Sequence, residues 1–306
     1  MKKIVDRSKI LDGSKALDGS KILDWIIERF IFLCGILVII FVALIFIFLL
    51  REGIAFFSSY SGMDFLSNSR WYPTSDPPQF GILSLIFGSL FVTVLAALIA
   101  IPLGVMTALF IAEIAPRGFK EVLKSVIELL AAIPSVVIGF IGMVTLVPVV
   151  RTILNIPTGL SAFSGAIMLA FMALPTIASI SEDAIRSVPL SYKEGAIALG
   201  ATKWQTMYRI ILPASAPGIV GAVMLGIGRV IGETMAVMMI TGNAAHIPGS
   251  IFDPVRTMTA TIAAEMGETV TGSIHYEALF AIGLVLFVIT FIVNFIADTF
   301  LRKVRR

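Results

Sequence analysis

Six stretches of this chain are almost continuously apolar, with the polar residues gathered between them. The runs extend from about Ile26 to Leu50, Gly81 to Ile114, Val122 to Val150, Ser161 to Ile180, Ala216 to Thr241 and Ala278 to Phe300. Each is long enough to cross a hydrocarbon core of about 30 Å as a helix. In lipid, an isolated helix satisfies its own backbone groups. The pattern therefore predicts an all-α, polytopic membrane protein with six transmembrane helices. The second and third runs exceed the minimum length, which permits tilt or extension past the bilayer. Pro102, Pro134, Pro148 and Pro175 interrupt several runs, as in kinked membrane helices.

The polar intervals complete the division of the chain. A tail (residues 1–25) precedes the first helix (26–50). A loop (51–80) leads to a core of five helices (81–301), which contains a polar connection (182–213). A basic end (302–306) follows. No small-residue cleavage site follows the first run, so it is expected to remain as an anchor. The tail repeats SKILDG, SKALDG and SKILDW between Ser8 and Trp25. Six residues advance a helix about 240° past a full turn, so Ile10-Leu11, Ala16-Leu17 and Ile22-Leu23 do not share a face. Gly13 and Gly19 weaken a helix further. The tail reads as a low-complexity cytoplasmic segment, with a membrane-surface or regulatory arm as the other reading.

Basic residues alternate in density from loop to loop. The tail carries Lys2, Lys3, Arg7, Lys9, Lys15, Lys21 and Arg29. The second connection carries Arg117, Lys120 and Lys124, and the fourth Arg186, Lys193, Lys203 and Arg209. The chain ends with Arg302, Lys303, Arg305 and Arg306. The intervening connections are poorer: Arg51 and Arg70, then Arg151, then Arg256. Positive residues gather on the cytoplasmic side, so both termini are expected there, in the cytoplasmic (inner) membrane. Of the outer connections, the first holds SRWYPTSDPPQFG, whose Pro73, Pro77 and Pro78 exclude a regular helix; Trp71 and Tyr72 suit a membrane interface. The last holds RTMTATIAAEMGE, where Met258, Ile262 and Met266 recur at helical spacing. It reads as a short outer helix, either a partner's dock or a packed lid.

Composition agrees with this class. Of 306 residues, 58% are hydrophobic and 14% charged, against roughly 25% charged in soluble domains. The net charge of +3 gives no sign of nucleic-acid binding. Cys34 is the one cysteine, so no internal disulfide forms. No phosphate-cradling G-x-x-x-x-G-K-[ST] occurs; DGSKALDGSK in the tail has the wrong spacing. His246 and His275 stand apart and read as surface residues, and no metal-ligand cluster or nucleophile-base arrangement is evident. The chain is not expected to be an enzyme.

The polar connection ends in EGAIALGATKWQTMYRIILP, residues 194–213. Ala196 and Ala198 are small, so a helix here can be approached closely. Gly200 breaks it and gives a helix-turn-helix. A second short helix, with Trp204 and Tyr208 one turn apart, leads to Pro213 and the next span. Such a projection fits a partner's groove; as an interfacial hairpin it would set both rings at the headgroups.

The spacing of Glu194, Gly195, Ala196, Gly200, Ile210, Leu212 and Pro213 resembles the EAA loop of ABC-importer permeases, with Gly195 where that loop has alanine. RWYPTSDPPQFGILSLIFGSL, GRVIGETMAVMMITGN and FDPVRTMTATIAAEMGE extend the resemblance to the PstC-type permeases of high-affinity phosphate importers, over most of the chain from the first span on. The resemblance implies a type I ABC importer permease fold and translocation of inorganic phosphate. It implies three kinds of partner: a second related permease, two ATPase subunits, and an extracytoplasmic phosphate-binding protein. ATP and Mg would be bound by the ATPase, and no cofactor by this chain. Glu194, Gly195, Ala196, Ala198, Gly200, Ile210, Leu212 and Pro213 would form the ATPase-coupling loop. The alternatives are a permease for sulfate or molybdate, and a secondary carrier not driven by ATP.

Arg229 and Glu233 lie inside the fifth apolar run, four residues apart and so on one helical face. An intramembrane charge costs about 2.5–3.5 kcal/mol on insertion scales and marks function by default. Arg229, Glu233 and Thr234 are therefore candidates for the substrate path. A guanidinium fork matches phosphate oxygens, and Glu233 is expected to hold it in place; the other reading is a structural ion pair between subunits. Gly221, Gly228 and Gly232 give small-residue spacing suited to a helix seam.

Overall fold

A computed structural model describes residues 8–304; Lys2, Lys3, Arg7, Arg305 and Arg306 lie outside them. Among the described residues, six helices are long and apolar enough to cross a membrane: Ile22–Ser59, Leu83–Ile114, Ser135–Leu154, Ala162–Arg186, Lys203–Gly232 and Ile274–Thr299. Among the described residues the fold is helical apart from one two-stranded hairpin and an isolated bridge between Gly242 and Val255.

The first helix, α1 (Ser8–Ser59), takes in the period-six repeat. The tail is thus not separated from the first span at residue 25. The Lys, Leu and Ala of the repeat are good helix formers, and the two glycines, at about 1 kcal/mol each, do not interrupt the helix. From Ile22 to Arg51 nearly every side chain of α1 is exposed.

From Glu52 on, the segment expected as a loop (51–80) carries regular elements. After α2 (Gly62–Ser67), strands β1 (Trp71–Tyr72) and β2 (Gln79–Phe80) pair antiparallel. Trp71 is buried rather than interfacial, and it joins Phe56, Phe65 and Phe80 in one aromatic cluster.

The centre of the fold is α3 (Leu83–Leu109) against α7 (Ala162–Arg186), with α10 (Leu212–Gly232) packed on α7 and touching α3 as well. Gly88, Val92, Ala96, Ala100, Gly104 and Ala108 form a buried row along α3, each four residues from the last. Ala162, Ala166, Ala170 and Ala173 face them from α7. Small residues at fourfold spacing let helices approach closely in lipid. Ile177 is the knob of this junction: a Cβ on Gly104 of α3 or Gly226 of α10 would overlap it.

Two spans differ from their apolar runs. Val122–Val150 is not one helix. The chain forms α4 (Arg117–Ala132), breaks at Ile133 and Pro134, and resumes as α5 (Ser135–Ile141), a π-helical turn over Gly142–Leu146 and α6 (Val147–Leu154). The part before Pro134 is amphipathic. It buries Ile127 and packs Leu123 on α7, with Lys120 and Lys124 alongside. The fifth run also breaks. The helix ends at Gly232, Glu233 is extended, and α11 (Met235–Ile240) follows. Pro102 and Pro175, by contrast, lie within continuous helices.

The bundle has two ends. At one, the hairpin end, α8 (Leu190–Ala198) and α9 (Lys203–Thr206) connect α7 to α10. At the other, the distal end, lie the β-hairpin, α12 (Met258–Glu265) and the start of α13 (Ile274–Val304). Met258, Ala260 and Thr261 of α12 are fully buried, so this short helix is a packed lid and not a free surface helix.

Candidate functional site

The hairpin is built by three local signals. Gly200 adopts φ 81°, the left-handed region that ends α8 without a Cβ penalty. Thr202 and Gln205 form a reciprocal capping box that starts α9. A π-helical turn, Met207–Ile211, then carries the chain into α10 without a break. Glu194, Gly195 and Ala198 are exposed on α8, whereas Ala196 is buried. Ile210 lies in the π-helical turn, and Leu212 and Pro213 open α10. Leu190, Ile197, Leu199, Trp204 and Tyr208 are all exposed, Leu199 at 91%. Large apolar side chains so far outside the core mark a surface that another body covers.

Ion pairs that sequence reading missed hold this end together. Lys193 of α8 pairs with Glu113, in the π-helical turn Phe110–Ile114 after α3, at 2.5 Å. Glu182, buried near the end of α7, takes Lys124 at 3.4 Å and Arg186 one turn on. Glu182 accordingly raises the Lys124 ammonium above its ordinary range, while burial and Arg186 lower that of Lys120. Only the Glu182–Arg186 pair had a local cue, its i,i+4 spacing.

The second locus is the discontinuity at the end of α10. Arg229 is half-buried and donates to Thr176 Oγ1 at 3.3 Å. Thr176 lies near the middle of α7, about 21 Å from its start and about 15 Å from its end at 1.5 Å per residue. The guanidinium thus sits deep in the bundle, and among the described residues it has no ion-pair partner. Glu233 does not hold it. Because the helix ends at Gly232, Glu233 leaves the face carrying Arg229, and its carboxylate accepts from Ala236 N–H at 3.1 Å, capping α11. Thr234 donates to Gly232 O.

The lid is hydrogen-bonded to this break. Thr259 Oγ1 donates to Glu233 O at 3.0 Å, and Met258 N–H to Ser89 Oγ of α3 at 2.9 Å. Its other end is clamped at Glu265, which accepts from Trp71 Nε1 and pairs with Arg256 at 2.8 Å and His275 at 2.8 Å. His275 is therefore not a lone surface residue; His246 is exposed. Gly221, Gly228 and Gly232 face open space, and within this chain the close packing falls on Gly218 and Gly226 instead.

Residues 100–306 match the family described as binding-protein-dependent transport system inner membrane component. A probable ABC transporter permease protein, YqgH of Bacillus subtilis, is 46% identical over 261 residues, covering 85% of this chain and 84% of that protein. The phosphate transport system permease protein PstC of Mesorhizobium japonicum is 38% identical over 262 residues, covering 79% of each. A solved bacterial ABC transporter that imports the acidic polysaccharide alginate superposes with a TM-score of 0.64 at 17% identity, covering 95% of this chain and 100% of that one. At that identity it is the fold that is shared. Sequence match and helical architecture together make this chain a member of the binding-protein-dependent transport system inner membrane component family, a multi-pass ABC-importer permease.

Proposed function

We propose that this chain is the PstC-type permease subunit of an ATP-driven importer of inorganic phosphate. The observation that carries the reading is Arg229, a guanidinium deep in a membrane bundle, without a counter-ion among the described residues, beside a broken helix. A permanent charge in that position costs about 2.5–3.5 kcal/mol on insertion scales, and an anionic cargo supplies what offsets it. Free phosphate near neutrality carries a charge similar to the roughly −1.5 to −2 of a phosphate ester. One arginine does not neutralise that, so further positive charge comes from a second, related permease, and binding stays weak enough for passage. Glu233 and Thr234 shape the break, and Arg229 meets the anion. The relatives named as phosphate permeases support the choice of phosphate over sulfate or molybdate.

The hairpin Leu190–Pro213 docks in a groove of the ATPase through its exposed apolar side chains. Two ATPase subunits bind ATP and Mg, and this chain binds neither. The open row Gly221, Gly228, Gly232 is the seam for the second permease. Both termini and the hairpin lie in the cytoplasm, where the basic residues gather, and the lid end meets the phosphate-binding protein outside. A solved alginate transporter of the same fold is described in complex with its periplasmic binding protein.

The test is uptake of labelled phosphate by proteoliposomes holding the co-expressed complex and its binding protein. Accumulation that needs internal ATP and resists excess sulfate and molybdate supports the proposal. Competition by those anions at equal concentration moves the substrate to another oxyanion.

A further inference from the structure

The Lys193–Glu113 ion pair joins the two parts that a coupled transporter has to move together. Lys193 lies on the exposed hairpin; Glu113 lies in the π-helical turn that ends the long helix begun at Leu83. Both are mostly out of water, with side-chain exposures of 27% and 15%. Beside the pair is a cavity of about 520 Å³, lined by Glu113 and Ile114 on one side and by Ile197, Lys203, Trp204 and Met207 of the hairpin on the other. α8 packs chiefly against its own second arm, α9 and the Met207–Ile211 turn. The α8 arm of the hairpin thus reaches α3 beside this cavity through a charged contact, whereas Ile211 and Leu212, where the hairpin passes into α10, pack against Ala108, Leu109 and Ala112.

α3 transmits what happens at Glu113. Its buried row on α7 makes it a rod, and at its distal end Ser89 holds the lid backbone at Met258, next to the Thr259–Glu233 bond at the break. Single π-helical turns occur frequently at functional sites, and Phe110–Ile114 places one where the tether attaches.

We propose that Glu113 and Lys193 are positioning residues for energy coupling. Their ion pair is the joint through which hairpin displacement pulls on α3 and so on the lid and the Arg229 break. The proposal rests on the hairpin being the ATPase dock and adds the element to which that dock is tied.

The experiment uses the whole complex in proteoliposomes with its binding protein. It compares E113K, K193E and the double swap E113K/K193E, measuring phosphate uptake and ATP hydrolysis in the same vesicles. Each single variant is expected to lose uptake by about tenfold or more while retaining most hydrolysis, and the double swap to regain uptake to within about threefold of wild type, as directly coupled charges do. E113Q and K193Q follow the same readouts if a charge reversal fails to assemble. Uptake unchanged in the single variants overturns the joint. So does an equal fall of uptake and hydrolysis that the swap does not rescue. Failure of the underlying docking reading looks different, because the ATPase is then absent from the purified wild-type complex. If wild type carries no phosphate, coupling is scored on hydrolysis stimulated by the binding protein.

Discussion

Replacing Arg229 by Ala separates transport from stability, and the structure gives the size of each effect. The guanidinium makes one hydrogen bond, 3.3 Å to Thr176, and no ion pair among the described residues. Losing a hydrogen bond to a charged group costs about 1.5–3 kcal/mol at most, less here because the contact is long. Removing the charge from the membrane interior returns about 2.5–3.5 kcal/mol on insertion scales. The two nearly cancel, so the Ala variant should keep the wild-type melting temperature to within a few degrees or exceed it. Its phosphate uptake should nevertheless fall to background, with the ATPase still bound. Arg229→Lys should recover part of the uptake, because an ammonium keeps the charge and loses the fork. The assay is thermal unfolding of the purified complex by fluorescence, paired with uptake by the same preparation. Normal uptake in the Ala variant refutes the pathway role. A melting temperature lowered as far as by a core variant makes Arg229 a structural residue instead.

Three further substitutions probe the frame. Gly226→Leu drives a side chain into Ile177 at the junction of α3, α7 and α10; overpacking of this kind costs about 1–3 kcal/mol and should lower the melting temperature of the chain itself. Gly228→Leu meets nothing within 4 Å in this chain and replaces a poor helix former, a gain of up to about 0.8 kcal/mol; it should leave the fold intact and abolish co-purification of the second permease, and an intact heteromer rejects the seam. Glu265→Gln removes the charge shared by Arg256 and His275, a loss of about 1–3 kcal/mol, and should speed proteolysis within the lid in intact vesicles.

What could be read along the chain was local. Gly200 was legible because a left-handed cap needs no tertiary partner, and the Thr202–Gln205 box was present in the same letters though its capping role went unread. Span number was legible because lipid imposes it segment by segment. Prolines were not interchangeable. Pro102 and Pro175 stay inside helices packed along α3 and α7, whereas Pro134 falls where the amphipathic α4 gives way to a membrane span. The i,i+4 pairing of Arg229 with Glu233 assumed an unbroken helix, and Gly232 ends it between them. The Glu265 clamp joins Trp71, Arg256 and His275, with Trp71 far away in sequence. No periodicity announces such a meeting, and it turned the expected surface histidine and interfacial tryptophan into parts of a part-buried lock.

The central claim, a permease subunit driven by ATP on another chain, is tested most directly by purifying the tagged protein in mild detergent and reconstituting whatever accompanies it. The account predicts an ATPase and a second permease in the preparation, and phosphate accumulation that stops when ATP is withheld from the ATPase side. A folded chain that purifies alone and moves phosphate down an ion gradient without ATP would contradict it.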